Sequence, residues 1–174
     1  MITTAHRPRE SERGQAVPEF ALIALAFFTL LFAVIQFGVL LGGHIGFTNA
    51  VRETARYAST LPQATTTQVE TELQTRYLPR AVPGYRSANF DAAATMVEYC
   101  SYTNPDHNAV THPSYSVKVR ITAVYKHALF VPLVDIIIDA IDGASDKKLT
   151  ASVTEEMRVE NPPMTTNGGL SACP

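Results

Sequence analysis

One stretch decides the fold of this 174-residue chain, and residues 13–60 read RGQAVPEFALIALAFFTLLFAVIQFGVLLGGHIGFTNAVRETARYAST. Within it, the segment from Phe20 to Leu41 is 22 residues long and carries no charged side chain. As a helix this segment would extend about 33 Å, which matches the roughly 30 Å hydrocarbon thickness of a bilayer. A buried helix of a soluble domain would normally keep a polar face, and this segment has none. The sequence therefore predicts a single transmembrane helix from Phe20 to Leu41, in contact with the lipid bilayer.

The charges on either side of the span favour a cytoplasmic N-terminus only slightly. Arg7, Arg9 and Arg13 precede the span, and Arg52 and Arg56 follow it. A cleavable secretory signal peptide is the competing interpretation, since it also has a basic start and an apolar core. Its apolar region usually runs about 7–15 residues and ends in a small-x-small cleavage site. Here the run is longer, and the residues that follow it offer no good site of that kind.

A glycine and a glutamate stand at a fixed spacing in front of the span. Gly14 is followed by Gln15, and Glu19 directly precedes Phe20 at the start of the apolar run. Glycine puts no side chain in the way of a peptidase, and Pro18 disfavours a helical conformation at the residue before it. In the first turn of the helix, Glu19 would meet the positive end of the helix dipole. The alternative is a capping glutamate at an ordinary signal anchor.

Further residues on both sides of the span extend this pattern. They are Arg13-Gly14, Glu19-Phe20-Ala21-Leu22, Phe37-Gly38, Asn49-Ala50, Arg52-Glu53 and Ala55-Arg56-Tyr57-Ala58. Together they resemble the TadE-like pseudopilins of the tight-adherence (Flp) pilus system, within the type IV pilin superfamily. The chain departs from the family pattern at Pro18 and at Gln36, where an acidic residue is often found.

The resemblance implies a processing site and a set of partners. A prepilin peptidase would cut after Gly14 and leave Gln15 as the first residue, so that residues 1–14 are a cytoplasmic basic leader. Glu19, followed by Phe20, would set the assembly register by meeting the N-terminal amine of a neighbouring subunit. The expected partners are the prepilin peptidase, the major Flp pilin, other pseudopilins and the inner-membrane pilus platform. The expected location is the inner membrane, as a single-pass protein that can be incorporated into the pilus.

Beyond the span, the sequence predicts an α+β arrangement. Residues 45–58 continue the N-terminal helix (residues 15–60) with an amphipathic pattern, and residues 61–174 form an extracytoplasmic domain. Residues 115–126 and 149–159 alternate apolar and polar side chains, as half-buried antiparallel strands do. Their apolar faces need a cover, which the amphipathic helix supplies. The glycines near residues 42–46 indicate either a bend in the helix or a close packing contact.

The two cysteines, Cys100 and Cys173, both follow the span. Outside the cytoplasm they can pair and close a loop of about 70 residues, which stabilises a fold by roughly 4 kcal/mol in the chain-entropy model. The alternative is two free thiols in a reducing compartment. The side of the membrane decides between these two states.

The sequence lacks the marks of an enzyme. No G-x-S-x-G, H-E-x-x-H or C-x-x-C motif is present. His107 and His112 would need two more ligands for a zinc site, and Asp135 and Asp139 lack the dense oxygen ligands of a Ca²⁺ site. The net charge of −2 indicates no nucleic-acid partner. We therefore expect no cofactor, no metal and no catalysis, and predict a minor pilin or pseudopilin; the alternative is an uncleaved, signal-anchored binding domain of another envelope complex.

Overall fold

A 45-residue helix, α1 (Ala16–Thr60), runs through the stretch quoted above. The computed structural model describes residues 16–61, 65–103, 115–143 and 145–160. Pro18 is tolerated because the first turn of a helix needs no N–H donor there. The helix ends at Thr60, and Leu61, which precedes a proline, is not helical. The span and the amphipathic segment are therefore parts of one continuous helix.

A shorter helical segment follows α1 and packs against it. It consists of α2 (Thr66–Glu72), a wider π-helical turn (Leu73–Tyr77) and α3 (Leu78–Ala81). The N–H of Leu78 donates to the carbonyl of Leu73, five residues back. Pro79 has no N–H to continue the ordinary pattern, which accounts for a wider turn beside it. This helical segment buries the side chains of Val69, Leu73 and Leu78 completely.

The three strands form one antiparallel sheet in the order β1 (Met96–Thr103), β2 (Tyr115–Ala128) and β3 (Lys148–Arg158). A short 3-10 turn (Ser87–Asn89) precedes β1, and helix α4 (Pro132–Asp142) connects β2 to β3. The strands predicted from the period-two alternation are both present. The predicted α+β fold, a long helix with a small antiparallel sheet, is confirmed.

The core lies between the second half of α1 and one face of the sheet. Four apolar residues at helical spacing on α1 are fully buried, as are three of β2. They are Phe47, Val51, Ala55 and Ala58 on the helix, and Val119, Ile121 and Ala123 on the strand. Each large apolar side chain buried in this way contributes about 1.5–3 kcal/mol. The helix therefore covers the sheet as the alternation required.

One polar residue interrupts the apolar face of β3, and the structure explains it. Glu155 occupies an apolar-face position of the strand, where its neighbours of the same parity are apolar. Its Oε1 lies 3.0 Å from Nη2 of Arg52 on α1. The carboxylate is thus paired at the rim of the helix–sheet contact.

The glycines of α1 serve close packing. A Cβ at Gly46 would overlap the Ala81 carbonyl oxygen and lie 2.8 Å from the carbonyl carbon, and a Cβ at Gly43 would lie 2.8 Å from Cε1 of His127. Gly42, in contrast, has nothing within 4 Å of its Cβ position. Of the two predicted uses of these glycines, the structure supports close packing at Gly43 and Gly46, within a helix that continues through them.

Candidate membrane-anchoring and assembly surface

Helix α1 is divided into an open half and a covered half. No side chain from Val17 to Ile35 is buried, and Gln36 is the first that is. The large apolar side chains of this open surface, defined here as α1 residues 17–35, are between 40% and 72% exposed; they are Val17, Phe20, Leu22, Ile23, Leu25, Phe27, Phe28, Leu30, Leu31, Phe32, Val34 and Ile35. An apolar surface of this extent marks a membrane or protein contact. In the part of the chain that the structure describes, α1 is the one helix long and apolar enough to cross a membrane.

The sheet begins where the predicted span ends. At its lower end the His127 ring lies against Gly43, two residues beyond Leu41. Further along, Glu155 pairs with Arg52, and at the upper end the N–H of Glu160 donates to the carbonyl of Ser59 at 3.0 Å. Strand β3 therefore runs along α1 in the same direction, away from the predicted span. This arrangement leaves the open surface clear of the sheet.

The predicted register residues lie at the start of the open surface. Glu19 is in the first turn of α1 and is exposed, and Phe20 beside it is 72% exposed. The next arginine or lysine along the chain is Arg52, 33 positions later, or about 50 Å along the helix. Within α1, therefore, no arginine or lysine lies near the Glu19 carboxylate. Gly14 and Gln15, the predicted processing residues, lie outside the described residues.

Gln36 is a polar residue of the predicted span, and its side chain is hydrogen-bonded within the fold. Its side chain is fully buried, and its Oε1 accepts a hydrogen bond of 2.9 Å from the N–H of Phe130. Its Nε2 finds no acceptor among the residues that the structure describes. The sequence marked Gln36 only as a departure from the family pattern. The donor is the backbone N–H of a residue 94 positions later, so no side chain in the sequence indicates this hydrogen bond.

A second apolar cluster lies beside the hydrogen bond between Gln36 and Phe130. Four buried residues make it up: Leu40, Leu129, Val131 and Val134. Ala33 of the open surface and Ile138 of α4 pack against it. A small apolar pocket beside it is lined by Thr29, Ala33, Phe37, Val131, Val134, Ile137 and Ile138. Helix α4 therefore lies against the predicted span.

The opposite face of the sheet is polar. Glu156 accepts a hydrogen bond of 2.6 Å from Nε of Arg120, with Lys118 3.6 Å away on the same strand. The hydrogen bond from Arg120 lowers the pKa of Glu156 below its ordinary value. The hydroxyls of Thr122 and Thr154 lie 3.0 Å apart on this face. These side chains form the solvent-facing side that the alternation predicted.

A buried histidine lies at the junction between the sheet and α1. His127 is 7% exposed and packs edge-on against the ring of Tyr125, with centroids 4.9 Å apart. Burial lowers the pKa of His127, and the nearby His44 lowers that pKa further. Burial and His44 therefore both favour the neutral form of the imidazole at this boundary.

Other predicted site residues fall partly or wholly outside the described residues. Cys100 is buried in β1, whereas Cys173 lies outside, so the predicted disulfide stays a prediction. His107 and His112 also lie outside. Among the described residues no group of three or more His, Cys, Asp or Glu side chains could hold a metal ion.

Comparison with known families identifies the N-terminal segment. Residues 14–56 match the family model described as TadE-like protein. The match covers 43 of the 174 residues, from Gly14 through the span to the part of α1 that packs on the sheet. No curated protein and no solved structure matches the chain. The resemblance predicted from the sequence is therefore confirmed: residues 14–56 of this chain are similar to the family of TadE-like proteins.

Proposed function

We propose that this chain is a minor pilin or pseudopilin of a Flp/Tad (type IVc) pilus, with a structural rather than a catalytic role. One observation carries the proposal: the family match begins at Gly14 and includes the whole open surface of α1. The covered half of α1 packs against the sheet of the same chain. The open half remains available, first for the lipid bilayer and then for the helices of neighbouring subunits.

Processing after Gly14 by a prepilin peptidase would create the group that Glu19 lacks. The cut frees the amine of Gln15, a positive charge at the end of the helix. A carboxylate held inside a bilayer costs about 3 kcal/mol or more unless it is paired. The amine of one subunit facing Glu19 of the next would offset this cost and fix their relative height. The open surface would supply the remaining contact by helix-to-helix packing.

This function requires a cytoplasmic leader and an extracytoplasmic sheet. In that orientation the chain would reside in the inner membrane with the major Flp pilin, other pseudopilins and the pilus platform as partners. The compartment would also allow Cys100 and Cys173 to form a disulfide.

Glu19→Gln and Glu19→Ala test the register role in cells that assemble the pilus. The matched control is Glu53→Gln, which changes the same residue type on the same helix at an exposed position beyond the span. We expect the Glu19 variants to lose their leader normally but to cross-link with neighbouring pilus subunits much less than the control does. Normal cross-linking of processed Glu19→Ala would refute the register role. An uncut chain with a folded extracytoplasmic domain would favour the signal-anchored binding domain instead.

A further inference from the structure

We propose that α4 is a second membrane-contacting element, seated in the extracytoplasmic leaflet beside α1 with one face against lipid acyl chains. The inference rests on the proposed insertion of α1 and goes beyond it. A single-pass anchor needs only α1, whereas here the connection between β2 and β3 also enters the bilayer.

The depth of α4 follows from what it touches on α1. Val131 and Val134 belong to the cluster that contains Leu40, with Ala33 packed against it. Leu40 lies one residue and Ala33 eight residues inside the predicted end of the span at Leu41, or about 1.5 and 12 Å along the helix. One leaflet contributes about 15 Å of the roughly 30 Å hydrocarbon core. Packing on these residues places α4 within that leaflet.

The outward side of α4 is apolar and continuous with the lipid-facing surface of α1. Ile137 is 58% exposed and Ile141 is 77% exposed, and Phe130, just before the helix, is 55% exposed. On α1, Phe37 lines the same pocket as Ile137 and is 52% exposed. Because the neighbouring surface of the span is in contact with lipid, the continuous surface on α4 meets the same hydrocarbon. The exposed side of α4 is therefore expected to contact the lipid bilayer.

Three backbone N–H groups of the connection between β2 and β3 are hydrogen-bonded within the chain, as an apolar solvent favours. The N–H of Phe130, between β2 and α4, donates to Oε1 of the buried Gln36. The N–H of Leu129 donates to the carbonyl of Lys147 at 2.9 Å, which joins the two ends of the connection. At the far end of α4 the N–H of Gly143 donates to the carbonyl of Asp139, with Gly143 at a φ of 72°.

The length and pattern of α4 fit a helix that lies in the interface. Its 11 residues are too few to span a bilayer. Asp139 is partly buried, and its Oδ1 accepts a hydrogen bond of 3.3 Å from the N–H of Lys147. A short helix that exposes apolar side chains on one side and has a polar side chain bonded to the adjoining turn on another fits an amphipathic element with one side in the acyl region.

The chain contains no tryptophan, so single-tryptophan variants test the depth directly. Ile137→Trp and Ile141→Trp report on α4 in the full chain. Val34→Trp, at a position 62% exposed within the span, is the control for lipid contact. Met96→Trp is the control for water, since Met96 is 53% exposed and pairs with Thr122, six residues or about 20 Å from the lower end of β2.

Each variant is reconstituted in phosphatidylcholine vesicles with and without brominated acyl chains, and its fluorescence is excited where tyrosine does not absorb. We expect bromolipid to quench Ile137→Trp and Ile141→Trp by at least half as much as Val34→Trp, and Met96→Trp hardly at all. Acrylamide should quench Met96→Trp several-fold more than the two α4 variants.

Two results would overturn the placement of α4, and a third would refute the insertion of α1 on which it rests. Accessibility of both α4 tryptophans to acrylamide, without bromolipid quenching, would place α4 in water. Shielding from both quenchers would assign the face to a protein partner. Absence of quenching at Val34→Trp would refute the insertion of α1 itself, whereas quenching at Val34→Trp alone would refute only the placement of α4.

Discussion

Replacing Gly46 by alanine should destabilise the fold, although alanine is the better helix former. A Cβ at this position would overlap the carbonyl oxygen of Ala81 and lie 2.8 Å from its carbonyl carbon. Ordinary carbon–carbon contacts are about 3.5–4.0 Å, so α1 and α3 must separate by roughly 1 Å. The obstacle is backbone, which has no alternative rotamer. Gly42→Ala is the matched control, since nothing lies within 4 Å of its Cβ position.

The expected loss of stability follows from the packing contacts that this separation would weaken. Leu78 is fully buried and Val82 is 3% exposed, and both belong to the segment that would move. A gap of 0.5–1 Å forfeits about a quarter to a half of each contact energy, and overpacking of this kind costs about 1–3 kcal/mol. Because the clash is with backbone, we take about 3 kcal/mol, offset by about 1 kcal/mol of helix propensity. Gly46→Ala should therefore lower the free energy of unfolding by about 2 kcal/mol, while Gly42→Ala should raise it by up to about 1 kcal/mol.

Urea unfolding of the detergent-solubilised full chain, followed by near-ultraviolet circular dichroism of the tyrosines, measures this difference. The signal reports on the packing of β2 against the loop that follows α3, where Tyr125 and Tyr85 stack with ring centroids 5.7 Å apart. We expect the two variants to differ by about 3 kcal/mol, with the unchanged chain between them. Equal stability of Gly46→Ala and Gly42→Ala would refute the close approach of α1 and α3.

Three further changes test separate contacts. Burial lowers the pKa of His127 in the folded chain, so the unfolded chain binds more protons than the folded chain below about pH 6.5. The free energy of unfolding should therefore fall as the pH drops through that value. His127→Gln should flatten the dependence of the urea midpoint on pH. Gln36→Met removes the acceptor for the N–H of Phe130, and a loss of about 1 kcal/mol should raise amide exchange at the β2–α4 junction about fivefold; unchanged exchange there would contradict the bond. Tyr125→Phe removes the hydroxyl that accepts from the N–H of Arg86 at 3.1 Å, which should lower the unfolding free energy by about 1 kcal/mol, whereas no change in the urea midpoint would show that water replaces the hydroxyl.

The features that could be predicted from the sequence are those encoded locally. The span follows from an uncharged run of sufficient length, and the strands follow from alternation over successive residues of β2 and β3. The buried face of α1 follows from Phe47, Val51, Ala55 and Ala58 at helical spacing. Each of these signals is complete within one segment, so no knowledge of distant contacts is needed.

The features that could not be predicted depend on partners far along the chain. Gly46 allowed either a bend or a close contact, and only the position of Ala81 decides between them. Gln36 looked like a departure from a family pattern until the backbone of Phe130 supplied its role. Glu155 interrupted the alternation because its partner is Arg52 on another element. In each case the deciding atom is a carbonyl, an amide or a charged group that residue spacing does not reveal.

The proposal that this chain is a processed pilus subunit is tested most directly by the intact mass of the protein recovered from membranes of cells that make the pilus. Cleavage by the prepilin peptidase predicts a chain that begins at Gln15, shorter than the full sequence by its first 14 residues. A Gly14→Lys variant measured in the same way should keep its leader. Recovery of the unchanged protein with Met1 still present in assembled pili would contradict the account.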